Sequence, residues 1–397
     1  MRIALIAPFA VQPKGTTRWR VLPLARALAE QGHAVRVVIP PYDWPAHSGQ
    51  IWQDGSVQVV NVSVSTRLTL VGHGALAGRL VQAALAWQPD VVHCFKPKGH
   101  SGLAALLLLA WGRRGGVTPP LRLGRVPVVV DADDYEASWN HVLGYPAHWT
   151  RFFRWQERSL LHRAHAVTAA SRWLADFAAS LGQQRVFYLP NGVEFSYSQD
   201  TILCHPTWSA ENDQTTLRVL LYTRFVEHSV QEVWQVWRQV LAAEPDAQLL
   251  IAGQGRAGEE HLLAQMAAEA GAGRSVQVLG WLPASARPGL FAAVDAAMLP
   301  VQDTLLSRAK SPMRLLDLLA AGVPVATQRV GEYGEIVVDG ATGLVTTPGD
   351  PAALAHSVLA LLRDPALRRR LGHAAREDVS VRFVWPALVE TALAAYR

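Results

Sequence analysis

The sequence predicts an α/β protein made of two doubly wound domains, each with a largely parallel sheet, and a cleft between them. Three observations lead there. Apolar strand patterns alternate with helical patterns in two separate series, which is how a parallel sheet covered on both faces reads. The chain has 397 residues, more than a single core usually organises. The two halves also differ in charge: residues 1–195 hold 20 Lys and Arg against 11 Asp and Glu, and the remainder 17 against 21, giving +9 and −4 of the formal +5.

The first series opens with the strand Ile3–Ala7, a loop Pro8–Thr17 containing Gly15, and a helix from about Trp19 to Glu30 closed by Gly32. Ala34–Pro40 is the next strand. The pattern returns at Asp90–Cys94, Val126–Ala132, Ala166–Ala170 and Val186–Leu189. Glu194–Thr216 is polar and poor in motifs, as a connector would be. The second series runs through Leu217–Tyr222, Ala247–Ala252, Ser275–Leu279, Ala296–Leu299 and Val323–Ala326, and Pro386–Tyr396 is a closing helix. The resulting division is a first domain over 1–195, a linker over 196–216 and a second domain over 217–383, with the helix of about 384–397 packing back on the first. Ligands of such sheets sit at the carboxyl ends of the strands.

Composition excludes several classes. Half the residues are hydrophobic and 17% charged, so most of the chain should fold. Two cysteines, Cys94 and Cys204, rule out a disulfide framework or a cysteine-rich metal site and fit a reducing compartment. The N-terminal apolar run reads as a strand rather than a signal peptide, and the longest apolar stretch, Leu103–Trp111, falls short of the ~20 residues a span needs. The chain should be cytoplasmic. The basic first half suits anionic lipid head groups; no basic run interleaved with aromatics suggests nucleic acid. Trp19, Trp139, Trp149, Trp155 and Trp173 concentrate in that half, as sugar-stacking, membrane-interface or core residues.

The most informative segment is Lys310–Thr327, KSPMRLLDLLAAGVPVAT. A turn at Lys310, Ser311 and Pro312 opens a helix carrying Asp317, Gly322 ends it, and a strand follows. Such a helix start can hold a diphosphate on free N–H groups and the positive end of its dipole, with Asp317 further along for sugar hydroxyls. The alternative is an ordinary helix with a surface acid. In the first half, Asp131, Asp133, Asp134 and Glu136 form the densest acid cluster, DADDYE, at a strand end. It reads as an acceptor site with one acid as base, or as a helix N-cap, in preference to a metal site. His93, with Lys96 just beyond it, ends a strand where a cleft would begin, in a structural or a functional role.

PNGV at Pro190–Val193, LLIAGQG at Leu249–Gly255, VQVLGWLP at Val276–Pro283, LLDLLAAGVPVAT, and VVDGATGLVTTPGDPAALA at Val337–Ala355 follow one another in this order. Together they resemble the retaining glycosyltransferases of family 4 (group 1), which have the GT-B fold of two facing Rossmann-like domains, and the resemblance covers nearly the whole chain. It implies transfer of a sugar from a nucleotide diphosphate sugar with retained anomeric configuration, without a cofactor and usually without a metal. The second domain would hold the nucleotide and the first the acceptor, plausibly a sugar, lipid-linked or polysaccharide intermediate of the cell envelope, at the inner face of the membrane. No nucleic acid is implied.

Carried over position by position, the resemblance assigns the ribose contact to Asp317 and the diphosphate to Arg224 with the helix start of Lys310, Ser311, Pro312, Met313 and Arg314. Gly253 and Gly255 would shape the loop near the nucleotide, and Gly280, Trp281 and Leu282 would lie against the base. Gly15, Thr16 and Arg18 match the glycine-containing loop of the acceptor side; by the reading of the residues themselves, His93, Lys96, Asp131, Asp134 and Glu136 join them with Asp133 as base, although many family members carry a histidine near the acid cluster and this chain does not. Two departures stand out. The family's donor-sugar glutamate falls on Ala309 and its lysine on Ser229, so Lys310 or Arg314 would replace the lysine. A nucleotide-sugar-binding protein without turnover is therefore the second reading.

Overall fold

The computed structural model describes residues 1–12, 15–64, 70–111, 126–194 and 216–397. They form two compact units, Met1–Gly192 with Ala309–Ser311 and Trp385–Arg397, and Val193–Arg308 with Pro312–Val384. The expected connector lies, apart from Glu194 and Thr216, outside the described residues, as does Cys204.

In the first unit the strands β1 (Arg2–Ile6), β2 (Ala34–Ile39), β3 (Ile51–Asp54), β4 (Val57–Asn61), β5 (Val91–Phe95), β6 (Val128–Ala132), β7 (Ala166–Ala169) and β8 (Val186–Tyr188) form one sheet in the order β3-β4-β2-β1-β5-β6-β7-β8. Its pairings are parallel except that of β3 with β4. Helices α1 (Leu22–Glu30), α2 (Leu70–Leu85), α3 (Gly99–Trp111), α4 (Glu136–Val142), α5 (Ala147–Arg163) and α6 (Arg172–Ser180) connect the strands. Along β1, Ile3 and Leu5 pack into one core while Ala4 and Ile6 pack into the core on the opposite face. That double burial is why the strand reads as a continuous apolar run.

The second unit repeats the principle with β9 (Arg218–Tyr222), β10 (Gln248–Ala252), β11 (Val276–Gly280), β12 (Ala296–Leu299), β13 (Val325–Gln328) and β14 (Leu344–Thr346), ordered β11-β10-β9-β12-β13-β14 and parallel throughout. This is the doubly wound order whose crossover direction reverses beside the first strand, here between β9 and β12. Its helices are α7 (Val230–Ala243), α8 (Glu259–Glu269), α9 (Arg287–Ala292), α10 (Leu305–Ala309), α11 (Met313–Ala320), α12 (Glu332–Ile336), α13 (Pro351–Arg363) and α14 (Pro365–Arg382). The last helix, α15 (Trp385–Tyr396), belongs to the first unit, where Trp385, Leu388, Val389, Ala392 and Leu393 join the core that β1 and α1 line.

Several elements depart from the sequence expectation. The helix expected from about Trp19 begins as a π-helical turn, Thr17–Val21, and becomes α-helical at Leu22. Pro23 has no N–H to give the preceding turn, so the regular ladder starts only there. The hairpin β3–β4 and helix α2 fill a stretch that the strand series left blank. The hairpin's signal was Asp54-Gly55, with Gly55 at φ 58° supplying the left-handed turn residue. The strand expected at Val323–Ala326 starts at Val325, because Pro324 cannot donate to the ladder.

Gly322 does end α11, at φ 76°. Gly372 is what lets α14 approach it: a Cβ on Gly372 would lie 2.2 Å from the Gly322 carbonyl oxygen. Because that oxygen is backbone and cannot swing aside, Gly372→Ala is expected to destabilise the protein by about 1–3 kcal/mol, outweighing the roughly 1 kcal/mol an alanine gains inside a helix. A urea-unfolding midpoint below wild type is the expected result; a midpoint above it would show that the two helices can separate at no cost.

Candidate functional site

In the second unit the carboxyl ends of β9, β10 and β11 are laced together through glycines. Gly253, just past β10, has φ 118°, and a Cβ there would sit 1.8 Å from the Thr223 carbonyl oxygen at the end of β9. No L side chain fits. The Gly253 N–H donates to the Gly280 carbonyl at 2.7 Å, closing the rim onto β11, where Gly280 has φ 66°. Trp281 follows at 72% exposure, while Leu282 is half-buried against the core. Gly255, also expected to shape this loop, is held by the acids that follow it. Its N–H donates to Glu260 Oε2 at 2.9 Å, and a Cβ would be 2.1 Å from Glu259 Oε2, so two carboxylates already occupy that loop.

Beyond β9 the chain turns sharply. The Phe225 N–H donates to Thr223 Oγ1 at 2.8 Å, Phe225 takes φ 54°, and Arg224 between them is exposed. Buried His228 braces this turn against the end of β12: Nδ1 is 2.9 Å from the Pro300 carbonyl and Nε2 is 3.2 Å from Thr223 Oγ1. The carbonyl can only accept, so Nδ1 carries the proton and Nε2 accepts from the threonine. Burial lowers the His228 pKa and favours that neutral form. Ser229, at the position of the family lysine, is the N-cap of α7. Its hydroxyl accepts from the Glu232 N–H at 3.2 Å and its own N–H donates to Glu232 Oε2 at 3.1 Å, a complete capping box.

On α11, Pro312 is the N-cap rather than the first helical residue and offers no side-chain cap. Met313 and Arg314, in the first turn, are half-buried. Asp317 lies a turn further on, 14% exposed, with Arg287 Nη1 at 3.0 Å from its Oδ2. Burial pushes its carboxyl up to about 6, against the pull of Arg287 and Arg314. Tyr222, which ends β9, is raised by burial and by Asp317, and the Arg314 guanidinium stands 5.7 Å from its ring and 3.9 Å from Glu227. Tyr222, Arg287, Arg314 and Asp317 thus gather at the carboxyl end of β9, next to the crossover reversal. Arg287 and Tyr222 had no motif to mark them in the sequence.

By its contacts, Ala309–Ser311 belongs to the first unit. Ala309 is buried in that unit's core, and its carbonyl accepts from Ser171 Oγ at 2.8 Å. The Lys310 ammonium stands 5.2 Å from the Trp139 ring. Ser311 is buried; Oγ accepts from the Asn191 N–H at 2.9 Å and its carbonyl from Asn191 Nδ2 at 3.0 Å. Of the helix start expected to hold the diphosphate, Ser311 is therefore engaged in packing, as is Ala309 just before it.

In the first unit two carboxylate groups separate by depth. Asp131 is fully buried and takes a bidentate pair from Arg20, Nε to Oδ2 and Nη2 to Oδ1 both at 2.7 Å, plus the Thr168 hydroxyl at 2.6 Å. Burial pushes its carboxyl up, but Arg20 and Thr168 more than offset that and hold it below its ordinary value. Arg20 also donates to the carbonyls of Leu189 and Pro190 and to Asn191 Oδ1. His93 extends the network, with Nε2 3.0 Å from Thr168 Oγ1 and Nδ1 2.9 Å from the Tyr396 hydroxyl; burial lowers it to about 4. Contrary to the expected acceptor roles, the side chains of Asp131 and His93 have no exposed surface.

The shallower group surrounds Lys96. Its Nζ lies 3.0 Å from Asp133 Oδ1, 2.9 Å from Asp134 Oδ2 and 2.9 Å from Glu136 Oε1, and the three carboxylates hold the ammonium charged despite burial. These carboxylates have metal-like spacing, their nearest oxygens within 4.8 Å of one another, but an ammonium already stands among them. The N-cap role is also filled otherwise: Tyr135 is the cap residue of α4, and Glu157 Oε1 accepts the Glu136 N–H at 2.9 Å. Burial and the neighbouring carboxylates raise Asp133 to about 7, with Lys96 opposing, which suits a group that exchanges a proton near neutrality. Thr16 Oγ1 donates to Asp133 Oδ2 at 3.1 Å, bringing the Gly15 loop to this cluster. Gly15 itself is exposed and its carbonyl accepts the Trp19 N–H; a Cβ on it would press on the Trp19 ring at 3.0 Å. Arg18 is exposed, with its guanidinium 4.7 Å from the Trp19 ring centroid.

Arg20→Met would strand Asp131 as a buried charge and is expected to cost about 3–5 kcal/mol in urea unfolding, with Arg20→Met/Asp131→Leu recovering most of it. Equal losses for the single and double variants would show that the pair matters only through packing.

Two family profiles match the chain: the "Glycosyl transferase 4-like domain" over residues 15–192 and "Glycosyl transferases group 1" over 208–378. Among curated relatives, phosphatidyl-myo-inositol mannosyltransferase of Mycobacterium leprae is 25% identical over 407 residues, covering 100% of this chain and 96% of that protein. Glycogen synthase of Mycobacterium tuberculosis is 26% identical over 324 residues, or 78% and 69%. Among solved structures, sucrose-phosphate synthase from Thermosynechococcus elongatus superposes with TM-score 0.72 at 18% identity, over 98% of this chain and 97% of that one. Anabaena Alr3699/HepE, solved with UDP-glucose, gives 0.64 at 18% over 99% and 98%. The two Rossmann-like units are those of the GT-B fold, and the chain belongs to the group 1 glycosyltransferases.

Proposed function

We propose that the chain transfers a sugar, with retention of anomeric configuration, from a nucleoside diphosphate sugar bound on the second unit to a hydroxyl of an acceptor bound on the first. The observation that carries the donor side is Asp317 with Arg287 and Tyr222 at the carboxyl end of β9, where doubly wound sheets take nucleotides. In this reading Asp317 accepts the ribose hydroxyls, Trp281 and Leu282 lie against the base, and the Gly253–Gly280 rim gives the nucleotide close access to backbone. Arg224 and the start of α11, with Met313 and Arg314, take the diphosphate. Positive charge there stabilises the leaving group, usually the largest catalytic contribution. On the first unit, Asp133 is the group suited to take the acceptor's proton, held in place by Lys96 and Thr16. Lys96 fills the carboxylate cluster, so no metal or cofactor is assigned.

The names of relatives favour a lipid-linked acceptor. One transfers mannose to phosphatidylinositol, and a Corynebacterium glutamicum relative, 28% identical over 277 residues, is a GDP-mannose-dependent enzyme acting on a phosphatidylinositol monomannoside. UDP-glucose, bound in the Anabaena structure, is the other donor to try first. The chain would then work at the cytoplasmic face of an envelope membrane, in glycolipid or polysaccharide synthesis. No helix among the described residues is long and apolar enough to cross that membrane.

A second reading has its own observation. Ala309 is buried in a core and Ser229 is spent as a helix cap, so neither provides the polar contact its position has in the family. A nucleotide-sugar-binding protein without turnover would show the same features. Release of free nucleoside diphosphate in the presence of acceptor separates the two readings.

Two outcomes test the site. A saturating donor should raise the unfolding temperature of the wild type by a few degrees, since ligand at a hundred times its Kd adds about 2.7 kcal/mol; Asp317→Ala should lose that rise. If Asp317→Ala keeps it, the ribose assignment is wrong. With its carboxyl raised to about 6, Asp317 is ionised above that pH and protonated below. Affinity for a nucleotide sugar, measured by calorimetry, should therefore hold above pH 7, fall as pH drops through 6, and lose that dependence in Asp317→Asn.

A further inference from the structure

The helix α5 and the turn before it carry a surface that the donor and acceptor sites leave unused. Along α5, His148, Arg151, Arg154, Trp155, Arg158 and His162 are exposed, a spacing that sets them on one side of the helix. Trp155 is 54% exposed. Beside this face Trp149, Phe152 and Phe153 stack in a half-buried aromatic row, with Trp149 and Phe153 centroids 5.5 Å apart and Phe152 and Trp155 5.9 Å apart. The preceding turn adds exposed Val142, Leu143 and Tyr145, and Lys98 stands over the rings of Tyr145 and Phe153.

The charge on this surface has one sign. Between His141 and Arg163 the sequence holds a single acid, Glu157, and its side chain is fully buried against the start of α4. Asp176, on neighbouring α6, is exposed but shares that helix with exposed Arg172. Cationic arginines alternating with exposed tryptophan, and aliphatic side chains at the leading turn, are the chemistry of a helix that lies in a membrane interface. Arginine meets lipid phosphate, tryptophan and tyrosine sit at the head-group level, and leucine and valine enter the acyl boundary. A nucleic-acid surface would use the arginines and the rings but has no use for exposed Leu143 and Val142. A helix of this length spans about 25 Å, enough to cover several head groups.

We propose that the α4–α5 turn and the exposed face of α5 dock the protein on an anionic lipid bilayer, with Arg151 and Arg154 on lipid phosphate and Leu143 and Trp155 inserted beside them. Docking of this kind does not depend on the donor reading, so Asp317→Ala should bind lipid as the wild type does.

The test is co-sedimentation of the full chain with vesicles of phosphatidylcholine, alone or mixed with phosphatidylglycerol. The wild type should partition onto the mixed vesicles and far less onto the neutral ones. Arg151→Ser/Arg154→Ser should weaken partitioning roughly fivefold for each arginine removed, and Leu143→Ser/Trp155→Ser should abolish the part that survives high salt. Arg238→Ser/Arg369→Ser removes the same charge from exposed positions of the second unit and should leave binding unchanged. Thermal unfolding establishes that each variant is folded. Equal weakening in the control pair would reduce the effect to net charge and overturn the proposal. So would absence of wild-type binding, or a short DNA duplex that binds more tightly than the vesicles and needs the same arginines.

Discussion

A buried arginine–carboxylate pair organises the first unit. Arg20 enters from the π-helical turn after β1, Asp131 from the end of β6, and the same guanidinium reaches the carbonyls of Leu189 and Pro190 beyond β8. One side chain therefore fixes three loops at the carboxyl edge of the sheet. Its partners explain neighbouring residues in turn. Asn191, which accepts from Arg20, donates to the hydroxyl and the carbonyl of Ser311, and Thr168 passes the network to His93 and Tyr396. A desolvated charge is tolerated only when its hydrogen-bonding capacity is filled, and here it is. The consequence for function is a division of labour. Asp131 is consumed in holding the edge together, which leaves Asp133, Asp134 and Glu136, two residues and more along the chain, to face Lys96.

The second unit solves the same problem without charge. Its sheet edge is joined by backbone-to-backbone contact at Gly253, with Thr223 on one side and Gly280 on the other, and neutral His228 ties the β9 turn to the end of β12. Charged side chains gather beside this edge instead of holding it together. Arg224 is exposed at the turn, and Arg287, Arg314 and Asp317 gather by Tyr222. The raised Asp317 carboxyl reflects its burial, which Arg287 and Arg314 oppose.

Much of this architecture was legible in the chain. Strands buried on both faces, such as Ile3–Ile6 and Val219–Leu221, read as apolar runs, and Gly322 announced the end of a helix that its φ of 76° then required. What stayed hidden was pairing over long sequence distance. Nothing near Arg20 in sequence names Asp131, and nothing near Asp317 names Arg287. Ser229 looked like a missing lysine because a single residue type was expected there; read with Glu232 three positions on, it is a capping box. PNGV was visible as a motif, but its use is visible only in space, where Asn191 bridges Arg20 to Ser311 and Gly192 admits Trp385 and Leu388 at distances a side chain would crowd. The hairpin at β3–β4 was signalled by Asp54-Gly55 yet overshadowed by the longer parallel series.

The central claim is that a nucleotide sugar binds at the carboxyl rim of the second unit. Hydrogen–deuterium exchange of the full chain with and without UDP-glucose or GDP-mannose tests it most directly. The account predicts slowed exchange in the peptides spanning 222–228, 253–255, 280–282 and 313–317, with the body of α8 beyond its first turn little changed. Slowed exchange confined to other segments, or none at saturating concentrations of either donor, would contradict it.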